Sequence, residues 1–125
     1  MNDTKLKGIV EKAKELAKYL ECDGSTRILN YLLTENRIPH TVLMGEADYN
    51  GIHLPVHFWI TSGDYIIDNK SHMYFGEEVP EGMFKESPVT YSGAPVSMDT
   101  SKTIFDILTF DHQPYLDELR KRARE

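Results

Sequence analysis

Three residues of this 125-residue chain have the types that thiol chemistry at a carbonyl carbon requires: Cys22, His57 and Asp68. A thiolate is the attacking species, and it needs a base within hydrogen-bond reach and a third group to hold that base. Cys22 is the single cysteine, and it falls between two helical patterns, at or just before the start of the second. The positive end of a helix dipole favours a thiolate there, and unpaired N–H groups at a helix start can donate to a developing oxyanion. His57 lies in one strand-like run and Asp68 near the end of the next, joined by Ser62-Gly63-Asp64. A turn centred on Ser62 and Gly63 would set His57 directly opposite Asp68, with Cβ atoms about 4.5–5.5 Å apart. One imidazole nitrogen would then serve Asp68 and the other would face Cys22.

The elements that must position these groups can be read from periodicity. Leu6, Ile9, Val10, Ala13, Leu16, Ala17 and Leu20 follow three-and-four spacing, which predicts a helix over Leu6 to Leu20 with Thr4 or Asp3 as its cap. Cys22-Asp23-Gly24-Ser25 interrupts the pattern. A second helix is expected from about Ser25 to Glu35, with Asn36 as a left-handed cap and Pro39 forbidding continuation. Strand formers then take over. His40 to Ala47 reads as a strand, Asp48-Tyr49-Asn50-Gly51 as a turn, Leu54 to Thr61 as the second strand, and Tyr65 to Asp68 as the third. Tight connections in succession imply an antiparallel meander. Residues Met73 to Met98, punctuated by Pro80, Pro88 and Pro95, are expected to be loop with a short strand near Val89 to Tyr91. Ile104 to Phe110 fits a short helix or a strand, and Tyr115 to Arg124 a terminal helix after Pro114. The fold class is therefore α+β, with N-terminal helices packed on an antiparallel sheet in a single domain over residues 1–125.

The stretch from Cys22 to Asn69 resembles the core of the transglutaminase-like superfamily, which shares its architecture with papain-like proteases and amidases. In that pattern a cysteine opens a helix, and a Gly-Ile-Pro-type turn leads into a strand closed by glycine. His-x-Trp follows in the next strand and an aspartate in the one after. Here the matching residues are Cys22, Arg37-Ile38-Pro39, His40 to Gly45, His57-Phe58-Trp59-Ile60 and Tyr65-Ile66-Ile67-Asp68. Asn36-Arg37 stands where the pattern has its glycine, and no calcium-loop spacing is present. The resemblance implies a papain-like α+β core, a Cys22–His57–Asp68 triad, no cofactor, and thiol chemistry at an acyl carbon: hydrolysis or deamidation of an amide, or acyl transfer. The substrate would be a peptide, a protein side-chain amide or a small amide. Trp59, two residues from His57 and so on the same strand face, is expected beside the triad. Tyr19, one turn before Cys22, is a candidate oxyanion partner or substrate contact, although a tyrosine there also suits a helix core.

Each of these residues has a plainer role if taken singly. A lone cysteine packs as a small hydrophobe, a strand histidine is often structural, and Asp68-Asn69 is a common turn pair. A binding protein that keeps the fold without the thiolate, or an interaction protein with Cys22 and His57 in its core, is thus the alternative to an enzyme. Composition narrows the field further. A formal charge of −6 disfavours nucleic acid, and the basic run Arg120-Lys121-Arg122 with Arg124 reads as a solvated helix end. The apolar runs fall far short of the roughly 20 residues that span a bilayer. The polar N-terminus carries no signal-peptide pattern, and a single cysteine makes no internal disulfide, so a cytoplasmic location is expected. His53 and His57 are four apart, as zinc-binding histidines on a helix are, but Pro55 and Val56 make the segment a strand and no further ligand pair completes a site. Oligomeric state is left open.

Overall fold

A computed structural model describes residues 3–98 and residue 100. The expected Ile104–Phe110 and Tyr115–Arg124 segments lie outside the described residues. Helix α1 spans Asp3–Leu16 and buries Leu6, Val10 and Ala13 along one face. It ends four residues short of the apolar pattern. Ala17 and Leu20 are still buried, at 0% and 4% exposure, but they lie in a turn closed by Leu20 N–H to the Ala17 carbonyl at 2.9 Å. The apolar spacing carries on through a turn that redirects the chain into the next helix.

Helix α2 spans Cys22–Glu35, beginning three residues before the expected Ser25. Gly24 and Ser25 are weak helix formers, yet both are buried in its first turn, and tertiary packing overrides propensity there. Its other end forms a Schellman motif: Arg37 N–H reaches the Thr34 carbonyl at 3.0 Å, and Ile38 N–H reaches the Leu33 carbonyl at 2.9 Å. The left-handed residue is Arg37, with φ 56°, whereas Asn36 sits at φ −90°. This corrects the expected cap by one position. Asn36 instead turns its side-chain amide onto the Leu32 carbonyl at 2.7 Å.

Among the described residues five antiparallel strands follow, β1 (Thr41–Tyr49), β2 (Ile52–Ser62), β3 (Tyr65–Asp68), β4 (Gly82–Phe84) and β5 (Thr90–Pro95), in the spatial order β4-β3-β2-β1-β5. The fold is α+β, with the N-terminal helices packed against this sheet. Asn50 and Gly51, at φ 49° and 81°, join β1 to β2 with the two left-handed residues that a type I′ hairpin turn needs. Gly63 at φ 58° opens the two-residue turn between β2 and β3, and Ser62 pairs with Tyr65 across it. The segment after β3 holds more order than expected: a short helix α3 (Ser71–Phe75), then β4, then β5 beginning at Thr90.

Val42, Ile60 and Ile67 face the helices and join Leu6, Val10, Ile28, Leu29 and Leu33 in the main core. Burying one side chain of this size contributes about 1.5–3 kcal/mol. A second cluster of Ala47, Phe75, Val79 and Val89 packs beside it. Trp59 and Ile60 are adjacent and both buried, at 3% and 0%, so β2 is covered on both faces at that point.

Candidate active site

The alternation along β2 and β3 selects the residues that do not face the helices. Ile60 pairs with Ile67 on the helix side, which leaves His57, Trp59 and Asp68 on the other face. The register differs by two residues from the one expected, because the turn is Gly63-Asp64 rather than Ser62-Gly63. Extended along the strands, it sets Asp68 across from Trp59 and makes His57 the diagonal neighbour. A shift by an even number of residues keeps every side chain on its face, and the diagonal separation is within reach of an imidazole and a carboxylate. His57 Nε2 and Asp68 Oδ2 are 2.7 Å apart.

Local features aim each group. Between Gly45↔His57 and Ala47↔Leu54 the ladder takes in an extra residue of β2, at Pro55-Val56. Proline has no N–H to place in a ladder, so a bulge is a natural position for it, and the bulge re-aims the strand just before His57. Asp68 is the last residue of β3 and only 3% exposed. Its carboxylate accepts three hydrogen bonds: from His57 Nε2–H, from the Tyr91 hydroxyl to Oδ2 at 2.9 Å, and from Lys70 N–H to Oδ1 at 3.0 Å. A buried carboxylate so fully engaged has one orientation left. Next to it, Asn69 Nδ2 donates to the Val10 carbonyl of α1 at 3.1 Å, which ties the end of β3 to the first helix.

Asp68 also sets the tautomer of the ring. Nε2 must carry a proton to meet a carboxylate, so in the neutral ring Nδ1 holds the free lone pair. His57 is 0% exposed, and its Nδ1 has no hydrogen-bond partner. The group that bears on this end of the ring is Cys22, the first residue of α2, half-buried with a free thiol. Burial works against a charged imidazole, but the Asp68 hydrogen bond and the interaction with Cys22 outweigh it and raise His57 to about 9. The N-cap of α2, Glu21, makes no side-chain capping bond, so the N–H groups at this helix start are not taken up by it. Asp23 is paired with Arg27 one turn on, at 3.1 Å.

Three aromatic rings surround the imidazole. Trp59 stacks on it at 6.0 Å between centroids, Tyr91 at 6.3 Å, and Tyr74 of α3 meets it edge-on at 5.5 Å and 83°. Trp59 also lies 5.0 Å from Tyr91. Room for the indole comes from Gly93. Gly45 pairs with His57 on one side and with Gly93 on the other, and a Cβ at Gly93 would stand 2.8 Å from Trp59 Cη2. Gly45 does not end the first strand as expected but lies in its middle, where a Cβ would collide with the Ser92 carbonyl oxygen.

Cys22, His57 and Asp68 are therefore brought together. Trp59 is beside them as expected, but at 3% exposure it braces the imidazole and presents no open face. Tyr19 is 82% exposed, with Lys18 Nζ 5.1 Å over its ring. Sequence reasoning missed Tyr91 and Tyr74. Tyr91 fell in the expected short strand, but its pairing with β1 spans more than forty residues of chain, and nothing local encodes that. Tyr74 lies in a five-residue helix too short to show a period. Among the described residues, no group of His, Cys, Asp or Glu could hold a metal ion; His53 turns outward to Asp48, 2.5 Å from its Nδ1. No helix among the described residues is long and apolar enough to cross a membrane.

Comparison of the chain with protein-family models, curated proteins and solved structures finds no match in any of the three.

Proposed function

We propose that this protein is a cytoplasmic cysteine-nucleophile enzyme that opens an amide or related acyl bond through Cys22, His57 and Asp68. The observation that carries the reading is the state of His57. It is wholly buried and tied through Nε2 to a fully engaged carboxylate, and its unpartnered Nδ1 has Cys22 as the group acting on it. Most buried side-chain polar atoms have a hydrogen-bond partner, so a bare Nδ1 at 0% exposure favours a functional over a purely structural histidine. The resemblance of Cys22–Asn69 to the transglutaminase-like pattern supports the same roles.

In the proposed reaction the Cys22 proton rests on His57 Nδ1, in keeping with an imidazole raised to about 9, and the sulfur attacks the substrate carbonyl carbon as a thiolate. Asp68 holds the ring and stabilises the imidazolium that forms. The tetrahedral intermediate collapses, the carbon–nitrogen bond breaks, and the departing amine takes the proton from Nδ1. A thioester on Cys22 remains. Water, deprotonated by the now neutral Nδ1, releases the acid in a hydrolase; an amine acceptor would give the acyltransferase version of the same chemistry.

The test is reaction with p-nitrophenyl acetate at pH 7.5. A stoichiometric burst of nitrophenolate is expected, abolished in Cys22→Ala and slowed at least 100-fold in His57→Ala, with acetyl mass found on Cys22. No burst, or a burst that survives Cys22→Ala, would retire the enzyme in favour of a binding role for the fold.

A further inference from the structure

Tyr74 has no part in the triad, yet it packs against one of its members and interacts with another. Its ring meets the His57 imidazole edge-on at 5.5 Å. Its hydroxyl lies close enough to Cys22 for both the thiol and the backbone amide of that residue to act on it, and Glu21 bears on it from the same helix start. The phenol is thus beside both the sulfur that would attack and the N–H that would receive the carbonyl oxygen.

The short helix that presents Tyr74 is anchored at several points. Ser71 Oγ donates to the Pro80 carbonyl at 2.6 Å, His72 N–H meets Glu81 Oε1 at 3.2 Å, and His72 Nε2 is 2.7 Å from the Val79 carbonyl. On the next residue, Phe75 is 3% exposed in the second core cluster. A five-residue helix tied in this way holds Tyr74 in place rather than leaving it on a free loop.

We infer that Tyr74 is a further catalytic residue, its hydroxyl donating, together with the Cys22 backbone N–H, to the oxyanion formed when the thiolate adds to the carbonyl. This rests on the thiol-enzyme reading. As sulfur bonds to carbon, the carbonyl π electrons move to oxygen. The Tyr74 O–H shares its proton with that oxygen by hydrogen bonding and keeps it, and the C=O bond re-forms when the amine leaves. Burial, with the negative charges at Cys22 and Glu21, pushes the Tyr74 hydroxyl up to about 12, so it stays a protonated donor throughout the neutral range. Tyr19, the expected partner for this role, is solvent-exposed, and Tyr74 replaces it.

Two reagents separate the oxyanion role from others. Acylation by p-nitrophenyl acetate passes through a tetrahedral oxyanion, whereas alkylation by iodoacetamide displaces iodide at a saturated carbon and forms none. In Tyr74→Phe, which keeps the ring packed on His57, the acylation rate should fall about 100-fold while the alkylation rate of Cys22 changes less than threefold. Equal loss in both reactions would overturn the assignment, because Tyr74 would then be positioning the thiol or the imidazole. Unchanged acylation would overturn it as well, and faster acylation would mark the phenol as an occupant that substrate must displace. If the wild-type protein is alkylated but never acylated, the thiol-enzyme reading itself has failed, and that result is distinct from any effect of Tyr74.

Discussion

At the scale of single residues, the feature that organises the site is a buried imidazole with a carboxylate on one nitrogen, the other nitrogen unpartnered, and Cys22 acting on the ring. Its charge has a consequence for stability that does not depend on turnover. His57 ordinarily titrates near 6.5 and is raised to about 9 in the folded chain. A folded-state value above the unfolded one means that the native state binds the proton more tightly. The resulting stabilisation is fully present below pH 6.5 and is lost as pH rises from 6.5 through 9. Urea midpoints measured at pH 6, 7.5 and 9 should therefore fall for the wild type relative to His57→Gln, which cannot titrate. Parallel curves would show that no imidazolium is held between Asp68 and Cys22. The residue-level arrangement was only partly legible in the sequence. Cys22, His57 and Asp68 declare themselves by type and by the elements they occupy. Tyr91, which completes the hydrogen bonding of Asp68, does not, because only the tertiary pairing of β5 with β1 brings it there.

Among the elements, those with strong local signals appear in the expected order, with ends that differ by up to four residues. Helix α1 follows its apolar stripe, and the Asn50-Gly51 turn delimits β1 and β2 because two successive left-handed residues are costly for most side chains. Boundaries moved where local preference and packing disagree. Gly24 and Ser25 looked like a break, yet they begin a buried helical turn and place Cys22 as its first residue. The end of α2 offers a direct test of the same competition. Arg37 is exposed and holds φ 56°, a conformation costing a side-chain-bearing residue about 1–2 kcal/mol. Arg37→Gly removes that strain but adds freedom to the unfolded chain, so a net stabilisation of about 0.5–1 kcal/mol is expected in chemical denaturation. Arg37→Val should move stability in the opposite direction. If glycine destabilises, the left-handed conformation at this residue is not strained.

For the whole molecule, the face that carries His57 is assembled across three strands by the row His57, Gly45, Gly93, with the Trp59 indole over its far end. A methyl group at Gly93 would stand 2.5 Å from the Met44 carbonyl oxygen and 2.8 Å from Trp59, and the backbone on one side cannot yield. Gly93→Ala should cost about 1–3 kcal/mol and shift the fluorescence of Trp59, the single tryptophan, as β5 and the indole move apart. The same change at Gly8, in the exposed face of α1 with nothing within 4 Å of the new atom, should stabilise by about 1 kcal/mol. Unfolding curves of the two variants that shift in the same direction would contradict the close approach of β5 to β1. None of this could be read from local pattern: a glycine in an edge strand looks like a weak point until its neighbour across the sheet is known. The order of these parts along the chain has a consequence for synthesis. Cys22, His57 and Asp68 all precede residue 69, so the ribosome delivers these three before the strand that supports them. Until Thr90–Pro95 has emerged and paired with β1, the carboxylate lacks its tyrosine and the imidazole lacks one of its three rings. The nascent protein therefore carries its thiol well before it carries the braced imidazole, and β5 is the strand that completes this packing.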